Sequence, residues 1–166
     1  MIKKAISVFF AIICISGLLM MSSCDRQKNE FKEYFTEFYT YFNDSEFEKY
    51  VDYFIRYEDE KKAEMLSNLN GSAEFYKNYY IIDKLSYETV SDGRTLVTVD
   101  VIDKCVFYKD TITKEVYENK LIRYAKKNYQ YIMSYENGNW IIDDYRIMSS
   151  EAIDEKTAEK YNFGKY

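Results

Sequence analysis

Tyr129-Gln130-Tyr131-Ile132-Met133-Ser134-Tyr135, then Glu136-Asn137-Gly138-Asn139, then Trp140-Ile141-Ile142-Asp143-Asp144-Tyr145-Arg146-Ile147: this stretch decides the fold. Two runs rich in aromatic and branched residues flank Asn137-Gly138, the dipeptide that best suits a two-residue turn with both φ angles positive. The stretch therefore predicts an antiparallel hairpin. A second hairpin precedes it. Leu85, Tyr87 and Thr89 alternate with Ser86, Glu88 and Val90, Ser91-Asp92-Gly93 supplies a turn, and Leu96-Val97-Thr98-Val99-Asp100-Val101 is a β-branched strand.

The segment 110–127 between the hairpins is ambiguous in period. Tyr117, Leu121 and Tyr124 fit a helix, but strand alternation is nearly as good, and we expect a third strand with an irregular entry. Upstream the period is helical. Phe31, Phe35, Phe38 and Phe42 form one stripe, and Phe47, Tyr50, Val51, Phe54 and Ile55 form a second. Ser45-Glu46-Phe47-Glu48 reads as a capping box at the second helix start. The charged stretch Glu58–Lys62 separates this helix from Ala63, Leu66 and Leu69, with Asn70-Gly71 as a stop signal. Residues 72–80 read as a last short helix or turn. Helices first and strands after them predict an α+β domain: N-terminal helices packed on a curved antiparallel sheet of four to five strands.

The chain begins Met-Ile-Lys-Lys, continues with an apolar run of 17 residues, Ala5–Met21, and then reads Ser22-Ser23-Cys24. This is the layout of a secretory signal, and a cysteine after two small residues makes it resemble a bacterial lipoprotein signal. The expected organisation is a cleaved signal over 1–23, a lipidated Cys24 with a polar tether over 24–30, one α+β domain over 31–148, and a polar tail with a short helix over 149–166. Acyl chains such as palmitate on Cys24 would anchor the protein in the cell envelope, because each buried methylene contributes about 0.8 kcal/mol. An uncleaved anchor is the rival, although 17 residues is at the lower limit for a membrane-spanning helix.

Composition removes whole mechanisms. The 166-residue chain has no histidine, no proline and five glycines. Without histidine there is no Ser-His-Asp or Cys-His catalysis and no imidazole-based zinc site. No glycine-rich phosphate loop and no calcium-binding loop motif occurs, so neither cofactor nor metal is implied. Lys3 and Lys4 leave with the signal, so the remainder carries 21 basic and 28 acidic side chains, net −7. Such a surface repels phosphate backbones, and nucleic acid is not an expected partner. Cys14 also leaves and Cys24 would carry lipid, so Cys105 stands alone and reads as a small core residue.

Helix, helix, short helix, then a meander closing on Tyr131–Tyr135, Gly138, Trp140, Ile142 and Asp144, together with the Phe31–Phe42 helix, resembles the nuclear transport factor 2-like (cystatin-like α+β) superfamily, in its small bacterial lipoprotein branch. The resemblance covers residues 30–148 and implies a cone of helices against a bent sheet with a pocket between them. Members include isomerases, dehydratases and binding modules. The enzymes rely on Asp, Tyr and often His; no family motif maps a catalytic position onto this chain, so no catalytic residue is carried over.

Nineteen tyrosines and eleven phenylalanines stand out. Core packing explains most of them, while Tyr79-Tyr80 and Tyr39-Thr40-Tyr41 are better surface residues, because consecutive aromatics cannot all face one way. Asp100 and Asp103 could be pocket acids, although alternation sends Asp100 to the polar face. Asp143-Asp144 reads as a strand-edge cap, Lys126-Lys127 as a solvated turn, and Trp140 as a core anchor. The expected function is a lipid-anchored, non-enzymatic binding or interaction module, its partner an envelope protein or a small apolar ligand. The alternatives are a histidine-free pocket enzyme of the isomerase or dehydratase type using Asp and Tyr, and a surface immunity or exclusion lipoprotein. Acidic or Tyr side chains converging in a pocket would favour the enzyme.

Overall fold

The computed structural model describes residues 26–90, 92–164 and 166. The expected signal over 1–23 and the expected lipidation site Cys24 lie outside the described residues. The chain divides into two units, Met1–Tyr34 and Phe35–Tyr166. Helical backbone, α1, covers 26–43. Its residues 35–43 belong to the second unit, which holds everything described below.

The second unit is α+β. After α1 come α2, Phe47–Asp52, and α3, Asp59–Ala73. Four strands follow: β1, Tyr76–Thr89; β2, Thr95–Lys109; β3, Val116–Glu136; and β4, Asn139–Ile153, before the single helical turn α4, Glu155–Ala158. The strands form one antiparallel sheet in the order β1-β2-β3-β4. Register shifts at Ile82/Lys84, Phe107/Lys109, Asn128/Tyr129 and Ile132/Met133 mark bulges, which bend strands locally.

Both predicted hairpins form. Asn137 and Gly138 have φ of 52° and 87°, and Gly93 has φ 85°. The sheet has four strands, within the expected four to five, and the two segments read as separate strands over 110–127 and 129–135 are one, Val116–Glu136. Other expectations are corrected. Residues 149–153 belong to β4 rather than to a polar tail, and the short helix begins at Glu155, capped by Asp154, whose carboxylate accepts the Thr157 N–H at 2.7 Å.

The capping box at Ser45 does not form. Ser45 sits at φ 62° and closes α1 instead: its N–H donates to the Phe42 carbonyl at 3.0 Å, and the Glu46 N–H to the Tyr41 carbonyl at 2.8 Å. That pair of bonds is the left-handed helix stop, and a residue spent on it cannot start the next helix. Glu46 precedes α2 with no side-chain cap. The charged stretch 59–62 is the first turn of α3 rather than a separator, since acidic residues suit a helix N-terminus. Asn70-Gly71 lies inside α3. Tyr76, Tyr79 and Tyr80 belong to β1 rather than to a further helix.

Alternation gives the sheet two faces. Val97, Val99, Val101 and Asp103 of β2 share the inner face with Tyr129, Tyr131 and Met133 of β3 and with Asn78 and Tyr80 of β1. The helices cover this face. Phe35 and Phe38 are fully buried against Tyr131, with ring centroids at 4.6 and 5.8 Å, and Phe54 packs on Tyr145 at 5.4 Å. Asn43 ties the end of α1 to β1: its amide donates to the Tyr80 carbonyl at 2.9 Å and accepts the Tyr80 N–H at 2.7 Å.

The outer face is covered in part by the C-terminal residues. Tyr166 stacks on Tyr79 at 5.2 Å, Phe163 lies 6.2 Å from Tyr124, and the Lys104 ammonium donates to the Tyr166 carbonyl at 2.8 Å.

Candidate functional site: an aromatic cavity above the sheet

Between the helices and the inner face lies a cavity of about 320 Å³. This is at the small end of the range for ligand pockets, roughly 300–1,000 Å³. Tyr39 and Phe42 of α1 and Phe47 and Tyr50 of α2 form one wall. Tyr80, Tyr129, Tyr131 and Tyr145 of the sheet form another. Leu69 and Ala73 of α3 close the end nearest β1. The aromatic stripes of the sequence are thus core residues at one end and cavity walls at the other. Phe35, Phe54 and Trp140 do not line the hollow.

The wall hydroxyls bond one another. Those of Tyr39 and Tyr131 are 2.7 Å apart in a buried contact. Burial pushes the Tyr39, Tyr50, Tyr80 and Tyr131 hydroxyls well above the usual tyrosine value. At neutral pH these groups stay protonated, able to donate or accept hydrogen bonds but not to act as bases.

The polar corner of the cavity is Lys127. Its ammonium lies 2.6 Å from Asp103, and Asn78 donates to both Asp103 oxygens at 3.0 Å. Asp103 is 3% exposed. Burial raises its carboxyl above the usual range, and Lys127 and Asn78 only partly offset that. Burial presses the Lys127 ammonium down, but the adjacent Asp103 more than reverses it, so Lys127 stays charged. Cys105 stands two residues along the same face. Burial, with the Asp103 charge adding to it, pushes its thiol up to about 11, so it is a poor nucleophile.

The remaining singled-out residues separate. Asp100 is on the outer face but is not simply solvated: it accepts from Asn128 and lies 3.8 Å from Lys126. Lys126 and Lys127 are not a turn; they sit inside β3 on opposite faces. Tyr39 and Tyr80 prove to be interior, whereas Tyr41 reaches outward to Glu37 at 2.9 Å. Asp143 accepts from Ser134 at 3.0 Å and Arg56 at 3.2 Å, and Asp144 accepts from Tyr57 at 3.0 Å. Trp140 stands at the hairpin end, 5.0 Å from the exposed Tyr135, rather than in the centre of the core. Among the described residues no three His, Cys, Asp or Glu side chains gather as a metal site would require.

No family model matches the chain, and no curated protein matches it. Several solved structures are similar, two of them as follows. Aln2 from a Streptomyces species superposes with a TM-score of 0.52 at 10% identity, over 82% of this chain and 96% of that one. The intermembrane space region of the chloroplast protein ARC6 gives a TM-score of 0.48 at 14% identity, over 75% of this chain and 95% of that one. At such identities the likeness to Aln2 bears on the fold alone.

Proposed function

We propose that this protein is a lipid-anchored binding module of the bacterial cell envelope that holds a small, largely apolar molecule in the aromatic cavity. The observation carrying the reading is a hollow of about 320 Å³ walled mostly by aromatic rings, with Lys77 and Lys127 at its edge. A core built only for stability would fill that space, since protein interiors pack at crystal-like density. The export signal and Cys24 in the sequence support the envelope location, and acyl chains on Cys24 supply the membrane attachment. The order of helices followed by an antiparallel meander is consistent with the nuclear transport factor 2-like resemblance.

The direct test uses N-phenyl-1-naphthylamine, a neutral fluorescent probe. Its emission should rise saturably with the protein and fail to rise with Ala73→Trp, which fills the hollow from α3. A wild-type protein with no saturable signal refutes the reading.

A second reading, a histidine-free proton-transfer enzyme, is favoured by one observation: the tyrosines of both walls and Lys127 converge on the same hollow. It ranks second on chemical grounds. The four most deeply buried of these hydroxyls are held protonated, and Asp103, the nearby acid, spends its oxygens on Lys127 and Asn78. A general base needs a free lone pair within hydrogen-bond reach of the proton it takes.

A further inference from the structure

We propose that the cavity selects a neutral, planar molecule carrying a carbonyl-type oxygen, which accepts a hydrogen bond from the Lys127 ammonium. This rests on the binding reading above and adds the ligand's chemistry to it.

Three observations carry it. First, an ammonium has three N–H donors. Lys127 directs one at Asp103 at 2.6 Å and lies 5.5 Å from the Tyr80 ring centre, and among the described residues no second oxygen or nitrogen acceptor bonds it. The side chain is only 20% exposed and borders the hollow. Water reaches the remaining donors only in part, so an acceptor entering the cavity gives the ammonium a second partner. Second, the pair is electrically balanced. An anion would have to share one ammonium with the Asp103 carboxylate, leaving a net negative charge out of water; a cation would meet Lys127 directly. Lys77 also borders the cavity, but its ammonium lies 5.1 Å from the Tyr79 ring, on the opposite face of β1 from Asn78 and Tyr80. It therefore supplies no second charge to the interior. Third, most of the remaining wall is aromatic, with Leu69 and Ala73 at one end, and aromatic rings favour planar partners through offset stacking.

The oxygen is thus a carbonyl rather than a carboxylate, and the rest of the molecule an unsaturated ring system. The chemistry covers aromatic ketones, quinone-like rings and cyclic amides alike.

The test compares three probes by equilibrium dialysis against the full chain at pH 7. 2-Acetylnaphthalene carries the carbonyl, 2-isopropenylnaphthalene replaces C=O by C=CH₂ at almost the same shape, and 2-naphthoate carries the anion. The ketone should bind at least tenfold tighter than the alkene and no weaker than the naphthoate. In Lys127→Met combined with Asp103→Asn, which removes both charges together, the ketone-to-alkene ratio should fall below threefold. If the wild type binds ketone and alkene equally, or prefers naphthoate, this inference is overturned while the binding reading stands. If no probe binds, both fall. The wild-type ratio decides the matter even where the double variant fails to fold.

Discussion

Removing one member of the Asp103–Lys127 pair should cost far more than removing both. In Lys127→Met the Asp103 carboxylate, 3% exposed, loses its counter-ion and keeps only the Asn78 donor. Breaking a fully buried pair on one side typically costs about 3–5 kcal/mol. Lys127 is 20% exposed, so some water reaches the pair, and about 2–3 kcal/mol is the expected loss at pH 7. Asp103→Asn with Lys127→Met leaves an acceptor for Asn78 and no charge, and should lie within about 1 kcal/mol of wild type. The assay is urea denaturation followed by tyrosine and tryptophan fluorescence. With a slope of about 2 kcal/mol/M, the single variant should unfold about 1 M or more earlier.

The pH dependence follows from the same geometry. Asp103 has its carboxyl raised in the folded protein, so the folded state holds that proton more tightly than the unfolded chain, where the value is about 3.9. The penalty for the charged form is therefore complete above the folded value and disappears as pH falls toward the unfolded one. Lys127→Met raises the folded value further, so its deficit at pH 7 should shrink on going to pH 4. Lys127, raised in the folded state, contributes stability that is full below about 10.4 and lost as pH rises through its folded value. A single variant with no loss at pH 7, or a double variant worse than the single, would refute the account of the pair.

Further outcomes follow from other contacts. Tyr39→Phe removes the 2.7 Å hydroxyl contact with buried Tyr131 and should cost about 1–2 kcal/mol in the same denaturation assay. Gly138→Ala places a side chain at φ 87° in the β3–β4 turn and should cost about 1–2 kcal/mol, read as a lower thermal midpoint. Cys105, with its thiol at about 11, should react sluggishly with a maleimide at pH 7.5, the rate rising about tenfold per pH unit up to about pH 10. Labelled palmitate should enter the wild-type chain in cells and not Cys24→Ser; label that persists in the variant refutes the anchor.

The hairpins were legible because their signals are local: Asn137-Gly138 and the alternation around Val97 and Val99 need no distant partner. The cavity was half legible. Its aromatic walls appear as stripes, but a stripe does not say whether the space it faces is filled. The charged corner was hidden for a different reason. Asp103 and Lys127 lie 24 positions apart and meet only through register, where Asp103 pairs with Ala125 and Val101 with Lys127, making them diagonal neighbours on one face. A lysine pair inside β3 reads as a turn because charge in a strand suggests solvent. One signal was available: Asp103 continues the inward phase of Val97, Val99 and Val101. The Ser45 misreading is likewise physical, since one residue can serve either as a stop or as a cap, and only the backbone decides.

The hollow itself follows from a mismatch of lengths. β3 has 21 residues, which at about 3.3 Å each extend roughly 70 Å, whereas the 15 residues of α3 span about 22 Å and the six of α2 about 9 Å. Helices so short cannot cover such strands from end to end. Where Phe35 and Phe38 of α1 pack on Tyr131 the core closes, and Met133 and Ile142 are fully buried. Toward the far end of the β2–β3 hairpin Ile112, Val116, Leu121 and Ile122 remain exposed. The cavity lies between α3 and the sheet, where Lys127 and Asp103 replace the apolar residues that a closed core would require. Enlarging a side chain there should therefore abolish ligand uptake with little loss of stability, whereas the same enlargement beside Met133 or Ile142 should destabilise by about 1–3 kcal/mol through overpacking.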